Sequence, residues 1–528
     1  MKMHTRSATG NVLLASALCA SMVFGAVVPS KAAAAPSSPP RIPQGSVVEA
    51  YEIADVTGDG LADHIYLVGS SSSVDTPFRE SRSVVVIDGA PNRQLSISLG
   101  NLSAGYPGSV IIGRINPDRI PDIVVSVPTG GSGGTIHCFA VTMAGGKPKQ
   151  LVNGEAFARG PELAVKAEDG RVIKVEDPAH GKVFSIPLAS SESGRDAFDG
   201  YYSPAGKIEK PVDVFVDPAS AIEIQDGGDG PAELVSYQKV WAVLHANSVA
   251  VVRTVWSWVN DGLRVKSVTV TPYYTPDQYR DHLRGVDRTK PATAVVEALE
   301  AYRNGFRDAP LAWRESAFLE FKAFHEELAT AMHNSLASEV RGVDGFERLE
   351  ESVRSLKASE EPYLAGFAFV YDGERMYNVV ARPGFYIEEF GPYLSAAYRD
   401  YIALADIEAN WPWAVDGALV IPLDAVGARV RAWEAYIEDY PSSPFAEKAR
   451  EYYRTRLTSL LIGLNNTPHR DYETGELRPG VIDALRRYVR LYPDADSARI
   501  VNEAIEIYRK NGFKWTSSVS AEILKVVK

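Results

Sequence analysis

The chain has 528 residues, with 55 basic side chains against 67 acidic ones, a formal charge of −12 and 45% hydrophobic residues. An acidic balance argues against nucleic acid or an anionic membrane surface as the main partner. The length allows two to four domains with ample core, so the fold need not depend on a metal for its stability.

Residues 1–35 read as a signal peptide. Lys2 and Arg6 form a basic start, Val12 to Val28 is apolar, and Ala32 to Ala35 offers an A-x-A cleavage site. The apolar run is near the lower limit for spanning a bilayer, so a retained anchor is the alternative. The following Pro36-Ser37-Ser38-Pro39-Pro40 favours cleavage. Leu18, not a small residue, precedes Cys19, which argues against a lipid anchor. Cleavage leaves Cys138 as the only cysteine, so no intrachain disulfide forms, and its strand-like context predicts a buried apolar role. The expectation is a secreted, extracellular or cell-envelope protein with no membrane insertion after cleavage.

Residues 36–45 form a Pro/Ser-rich linker. From 46 to 275 the pattern is β. Short apolar runs such as Ile65–Val68, Ser83–Ile87, Ile123–Val127 and Val249–Trp258 are separated by turn signals such as Asp88-Gly89 and Asn260-Asp261-Gly262. Many short strands with Gly/Asp turns mean a sandwich, barrel or propeller.

The stretch Asp55-Val56-Thr57-Gly58-Asp59-Gly60-Leu61-Ala62-Asp63 places oxygen ligands at alternate positions, with glycines to turn the loop. Hard cations such as Ca²⁺ take six to eight oxygens in a flexible shell. An EF-hand is excluded, because its glutamate at loop position 12 is here Tyr66 and β-forming residues follow. A solvated hairpin turn without metal is the bland alternative.

On Asp55, Thr57, Asp59, Gly60 and Asp63 the chain resembles FG-GAP/VCBS-type repeats. That resemblance implies a propeller-like β-domain and a Ca²⁺ site formed by Asp55, Thr57, Asp59, Asp63 and the carbonyl of Leu61. Thr57 stands where the family often has Asp. Two eroded copies follow. Arg114–Asp122 aligns at an offset of 59, with Arg114 for the first acid and Arg119 for the glycine. The Arg119 guanidinium is expected to satisfy Asp118 or Asp122 without a metal. Gln225–Glu233 keeps Asp229, Gly230 and Glu233. One cation site and two degenerate turns are expected.

Thr129–Gly134 is glycine-rich but lacks the Gly-Lys-Ser/Thr ending of a phosphate loop. Trp256 and Trp258 share one strand face, giving either core packing or an aromatic platform for a sugar.

Beyond a boundary at 275–290 the periodicity turns helical. Residues 290–425 read as mixed and mainly helical, with helices over Thr293–Phe306 and Ala312–Ser338. A β-hairpin is expected at Phe367–Tyr371 and Met376–Val380, followed by Phe385-Tyr386-Ile387. His325-Glu326 does not complete H-E-x-x-H, since Ala329 stands at the second histidine position. His325 and His333 therefore read as helix-surface residues.

In 426–528, Trp433-x-x-Tyr436-x-x-x-Tyr440-Pro441 recurs as Leu485-x-x-Tyr488-x-x-x-Tyr492-Pro493, an offset of 52, each followed by an alanine at 446 and 498. The pattern predicts helix, Tyr-Pro stop and next helix. It resembles tetratricopeptide-like helical pairs of envelope proteins, with Asn465–Pro479 as an insertion. Such pairs bind another protein, the expected partner here, or pack against their own chain.

The leading reading is a non-enzymatic secreted or envelope binding protein, with a calcium-binding β-domain and a helical protein-interaction domain. The alternatives are a polysaccharide- or peptidoglycan-acting hydrolase, for which isolated acids such as Glu388, Glu389 and Asp416 provide no motif, and a glycan-binding surface protein using Trp256, Trp258, Trp411 and Trp413.

Overall fold

The computed structural model describes residues 40–72, 76–89, 93–131, 133–152, 154–188, 198–228, 230–245, 247–339, 344–359, 361–372 and 375–527. The signal segment, most of the linker and Asp229 lie outside them. Strand-rich sheets come first and helices follow, as the change in periodicity indicates. The chain forms two compact units. One holds residues up to Tyr279 together with Tyr302–Arg314. The other holds Arg280–Ala301 and Glu315 onward.

In the first unit, β1 (Ser46–Ala54), β2 (Asp63–Ser70), β3 (Ser81–Ile87) and β4 (Gln94–Gly100) form an antiparallel sheet in chain order. The same meander recurs as β5 (Ser109–Gly113), β6 (Asp122–Pro128), β7 (Ile136–Thr142) and β8 (Lys149–Val152). A short helix α1 (Gly154–Arg159) leads to a three-stranded sheet of β9 (Ala164–Glu168), β10 (Val172–Asp177) and β11 (Lys182–Pro187), with β10 central. A third four-stranded meander has longer strands, β12 (Val214–Gln225), β13 (Glu233–Ala242), β14 (Ser248–Val259) and β15 (Gly262–Pro272). The intervening three-stranded sheet explains why the third acidic loop follows the second by about twice the first spacing.

Side chains alternate between sheet faces with period two. Ile123, Val125 and Val127 of β6 pack on Ile65, Leu67, Val84 and Val86 of the first sheet. Their neighbour Val124, with Cys138 and Ala140, points the other way, toward Leu234, Ile222, Ile224 and Phe157. Cys138 is fully buried, as its context suggests. Ile173, Val175 and Ile186 pack on Val240, Val252 and Val270 of the long sheet. The unit's helical part is tied to that sheet through Glu223, whose carboxylate accepts the Leu311 amide at 3.1 Å and pairs with Arg314.

The helices are α2 (Pro276–Gly285), α3 (Pro291–Phe306), α4 (Leu311–Glu339), α5 (Gly345–Ser359), α6 (Glu361–Leu364), α7 (Phe385–Phe390), α8 (Ala396–Asn410), α9 (Leu423–Asp439), α10 (Ala446–Ile462), α11 (Val481–Leu491), α12 (Asp496–Lys510) and α13 (Ser517–Val526). The expected hairpin is present as β16 (Phe367–Tyr371) and β17 (Tyr377–Ala381). Phe385-Tyr386-Ile387 opens the helix α7.

In the second unit, Phe318 and Phe321 of α4 pack on Phe390, and His325 stacks on Phe367 with ring centroids 4.2 Å apart. His325 is therefore a core residue and not a helix-surface one. The hairpin and α7 cover this face of α4, and His325 Nε2 donates to the Ala365 carbonyl while its Nδ1 pairs with Tyr386 Oη, both at 3.0 Å. His333 is half-buried, with Nδ1 at 3.0 Å from the Tyr377 carbonyl. The two Tyr-Pro motifs end α9 and α11 at Tyr440 and Tyr492, each amide bonding back to the tyrosine four residues earlier. Trp433 stacks on Tyr452, and Leu485, Val501, Ala504 and Tyr508 fill the core of the last helices. Among the described residues no helix is long and apolar enough to cross a membrane.

Candidate functional site

The acidic loop joins β1 to β2, its first copy joins β5 to β6, and its second copy joins β12 to β13. All three thus connect the first two strands of a four-stranded meander. They also touch in sequence. An added Cβ at Gly58 of the first loop would meet Ile120 of the second at 2.5 Å, and the Ala232 amide of the third bonds to the Arg114 carbonyl of the second at 2.6 Å. Gly58 and Gly60 sit at φ +82° and +86°, which glycine reaches without steric cost.

Within the first loop, Asp55 accepts the Gly58 amide on Oδ1 at 2.7 Å and the Gly60 amide on Oδ2 at 2.8 Å. Asp59 Oδ1 accepts the Leu61 amide at 2.8 Å. Asp63 is fully buried. Its Oδ2 accepts the amides of Val56 and Thr57 at 2.8 and 3.0 Å, and its Oδ1 accepts that of Gly89 at 2.9 Å. Burial pushes the Asp63 carboxyl above its ordinary value, against the pull of those three amides.

The second loop repeats this scheme. Asp122 Oδ2 accepts the Ile115 and Asn116 amides at 3.1 and 3.2 Å, and Asp118 Oδ1 accepts the Ile120 amide at 2.9 Å. Asp122 is pushed up to about 7 by burial and by the neighbouring Asp118 charge. The expected guanidinium neutralisation does not occur. The Ile115 and Asn116 backbone amides and, at 3.0 Å, the Asn116 side-chain amide satisfy Asp122, and no ion pair of Arg119 is found among the described residues. Arg119 instead takes the place of Gly60 in the left-handed region, at φ 68°. In the third loop Glu233 accepts from Gln225 Nε2 at 2.7 Å and Lys266 Nζ at 2.6 Å.

A hard cation requires oxygens with lone pairs to spare. Asp55 and Asp59 are in this state, since each bonded oxygen takes a single N–H. Asp63 is committed on both oxygens, Oδ2 to two amides and Oδ1 to the Gly89 amide and, at 3.5 Å, the Thr57 hydroxyl. Among the described residues no group of three or more His, Cys, Asp or Glu side chains stands assembled for a metal.

The aromatic candidates fare differently. Trp256 packs on Phe157 at 5.0 Å and donates its indole N–H to Ser236 at 2.8 Å, so core packing holds it. Trp413 lies under the Arg456 guanidinium at 4.2 Å. A second aromatic group was not foreseen. Phe215 stacks on Trp241 at 4.5 Å, and Asp217 fixes that stack by accepting Trp241 Nε1 at 2.8 Å and pairing with His245 Nε2 at 2.7 Å. The stretch Val212–Val216 reads as a strand but gives no sign that Phe215 faces outward.

A family model described as the YybI C-terminal domain matches residues 161–271, from the loop before β9 to the end of β15. The chain is 27% identical over 218 residues to the uncharacterized protein YybI of Bacillus subtilis (strain 168), covering 41% of this chain and 82% of that relative.

Proposed function

We propose that the chain is a secreted or cell-envelope binding protein without catalytic activity, in which a calcium-binding, propeller-like β-domain precedes a tetratricopeptide-like helical region that takes a protein partner. The three acidic hairpins, each leading a four-stranded meander, support the reading of FG-GAP/VCBS-like repeats. The helix pairs stopped at Tyr440 and Tyr492 support the reading of the C-terminal region.

The observation that carries the calcium reading is the difference between the first two loops. The second makes the corresponding turn with bonds to Asp122 and Asp118 like those to Asp63 and Asp59, while Arg114 occupies the place of Asp55, whose two amide bonds have no counterpart there among the described residues. The hairpin can therefore close without an acid at that position, and the Asp55 carboxylate, although it holds the Gly58 and Gly60 amides, keeps a lone pair on each oxygen for a cation. Asp55, Asp59, Thr57 and the Leu61 carbonyl would hold Ca²⁺, which would pin the loop from outside as Asp63 pins it from inside.

Calorimetry with Ca²⁺ on the full mature chain tests this, with Asp55→Arg and Asp59→Ala alongside and melting followed with and without EDTA. Saturable binding of about one equivalent that is absent in both variants supports the site, and a ligand held only by the folded state must raise the melting temperature. No heat together with an unchanged melting curve removes the calcium reading.

A further inference from the structure

A cavity of ≈ 460 Å³ in the helical unit is lined by α4, α5 and α6 together with the starts of α3 and β16. That volume is within the range of about 300–1,000 Å³ typical of small-ligand sites. Two helices turn one face each to it. Met332, Ser335 and Leu336 of α4 stand at steps of three and four, and Ser352, Ser355 and Leu356 of α5 do the same.

The lining changes character with depth. Leu336, Pro362 and Phe367 are buried, and Phe367 is backed by the His325 ring stacked on it. Met332 and Leu356 are half-buried and form apolar walls, of which the unbranched methionine adjusts to the shape of a guest. Ser335, Ser355 and Glu361 are exposed and form a polar mouth. Glu361 is the one ionisable side chain of this lining among the described residues, and it makes no ion pair among them. Lys357, one turn before it, lies over the Tyr377 ring at 5.5 Å instead. The start of α3 adds a partial positive charge of about half a unit, less than the whole negative charge of Glu361.

From this gradient we infer that the protein binds a primary alkylammonium ion, its chain lying between Met332 and Leu356 and its head at the mouth beside Glu361. An ammonium offers three N–H donors and no acceptor, and the Glu361 carboxylate with the Ser335 and Ser355 hydroxyls can accept them. A carboxylate head would meet Glu361 with like charge, and an alcohol would forgo the ion pair. Each methylene moved from water into the apolar part gains about fourfold in affinity. The site lies in the other unit from the Asp55–Asp63 loop, so the inference goes beyond the calcium reading and is independent of it.

The test titrates the full mature chain with hexylammonium, octylammonium, octanol and octanoate at millimolar concentration, read by calorimetry. Octylammonium should bind about tenfold more tightly than hexylammonium, for two further methylenes. It should bind about two- to fivefold more tightly than octanol, the scale of one exposed ion pair. Glu361→Gln should lower octylammonium to the affinity of octanol and leave octanol unchanged. Ser355 is exposed on its helix, so Ser355→Phe is expected to keep the wild-type circular dichroism, and its ring should fill the cavity and abolish binding. If that variant does not fold, Glu361→Gln alone carries the test. Absence of octylammonium binding, binding that persists in a folded Ser355→Phe, an octylammonium affinity indifferent to Glu361→Gln, or octanol or octanoate bound as tightly as octylammonium overturns the inference.

Discussion

Asp122 is buried beside Asp118 in the turn between β5 and β6, and the second carboxylate adds to burial in raising the first to about 7. The folded-state value lies above the unfolded one of about 3.9, so the folded chain binds the extra proton across that interval. The contribution of Asp122 to stability is therefore most favourable below about pH 4 and is lost as the pH rises through 7. The loss is on the order of 2–4 kcal/mol. Urea unfolding of the β unit at pH 5 and pH 8 should show it, and Asp122→Asn should flatten the difference. A wild-type midpoint that rises between these two pH values would contradict it.

His325 works in the opposite direction. Burial lowers it to about 4, as it does His469. The unfolded chain protonates near 6.5 and the folded chain does not, so the stabilisation is complete above 6.5 and is lost as the pH falls toward 4. Helical circular dichroism on acid titration should report this loss in the helical unit. His325→Phe should remove part of the slope, leaving that of His469. It should also cost about 1–3 kcal/mol at neutral pH, because Tyr386 and the Ala365 carbonyl lose their partner.

His325 also marks where sequence reading stops. Its chain neighbours Glu326 and Glu327 are charged, while Phe321, Leu328 and Ala329 share its helix face, and the remote hairpin β16–β17 and α7 complete its burial. The β-region was legible wherever apolar runs met turn signals, as at β2, β3, β6 and β13. It was illegible at β1, whose alternation is broken by an irregularity between Val48 and Ala50. That irregularity accompanies the turning of Glu49 to a buried ion pair with Arg82 at 2.7 Å, a partnership 33 residues apart that no local pattern encodes. The strand β9, which carries Lys166 and Glu168, and the short β11, which opens on Lys182, were likewise missed. The three acidic turns and the Tyr-Pro stops were readable because their chemistry is local. The Phe215–Trp241 stack was not, because it joins β12 to β13 across 26 residues.

The helical repeat is locked by a contact between its two halves. Glu434 of α9 accepts the Ser497 amide at 2.7 Å and the Ser497 hydroxyl at 2.5 Å, while Tyr488 Oη lies 2.6 Å from the same hydroxyl. The glutamate thus serves the open N-terminus of α12, where Ala495 offers no side-chain cap. Glu434→Ala should cost about 2–3 kcal/mol and Ser497→Ala about 1 kcal/mol. The double variant should cost less than the sum, with a coupling near 1 kcal/mol. Additive losses would mean that Glu434 stabilises the helices without Ser497.

Arg119 stands where the first loop has Gly60, with φ 68° against 86°. A side chain in the left-handed region costs about 1–2 kcal/mol, and glycine returns about 0.4–1 kcal/mol of that through the greater freedom of the unfolded chain. Arg119 is exposed, so little packing is lost with its side chain. Arg119→Gly should therefore leave the β unit equally stable or up to about 1 kcal/mol more stable. The reciprocal change isolates the backbone term. A Cβ at Gly60 meets nothing within 4 Å, so Gly60→Ala introduces strain without a clash and should cost about 1 kcal/mol. Urea midpoints of the two variants, compared at a pH above 8 to keep Asp122 ionised, measure both. Destabilisation by Arg119→Gly would show that the arginine contributes more than its backbone costs.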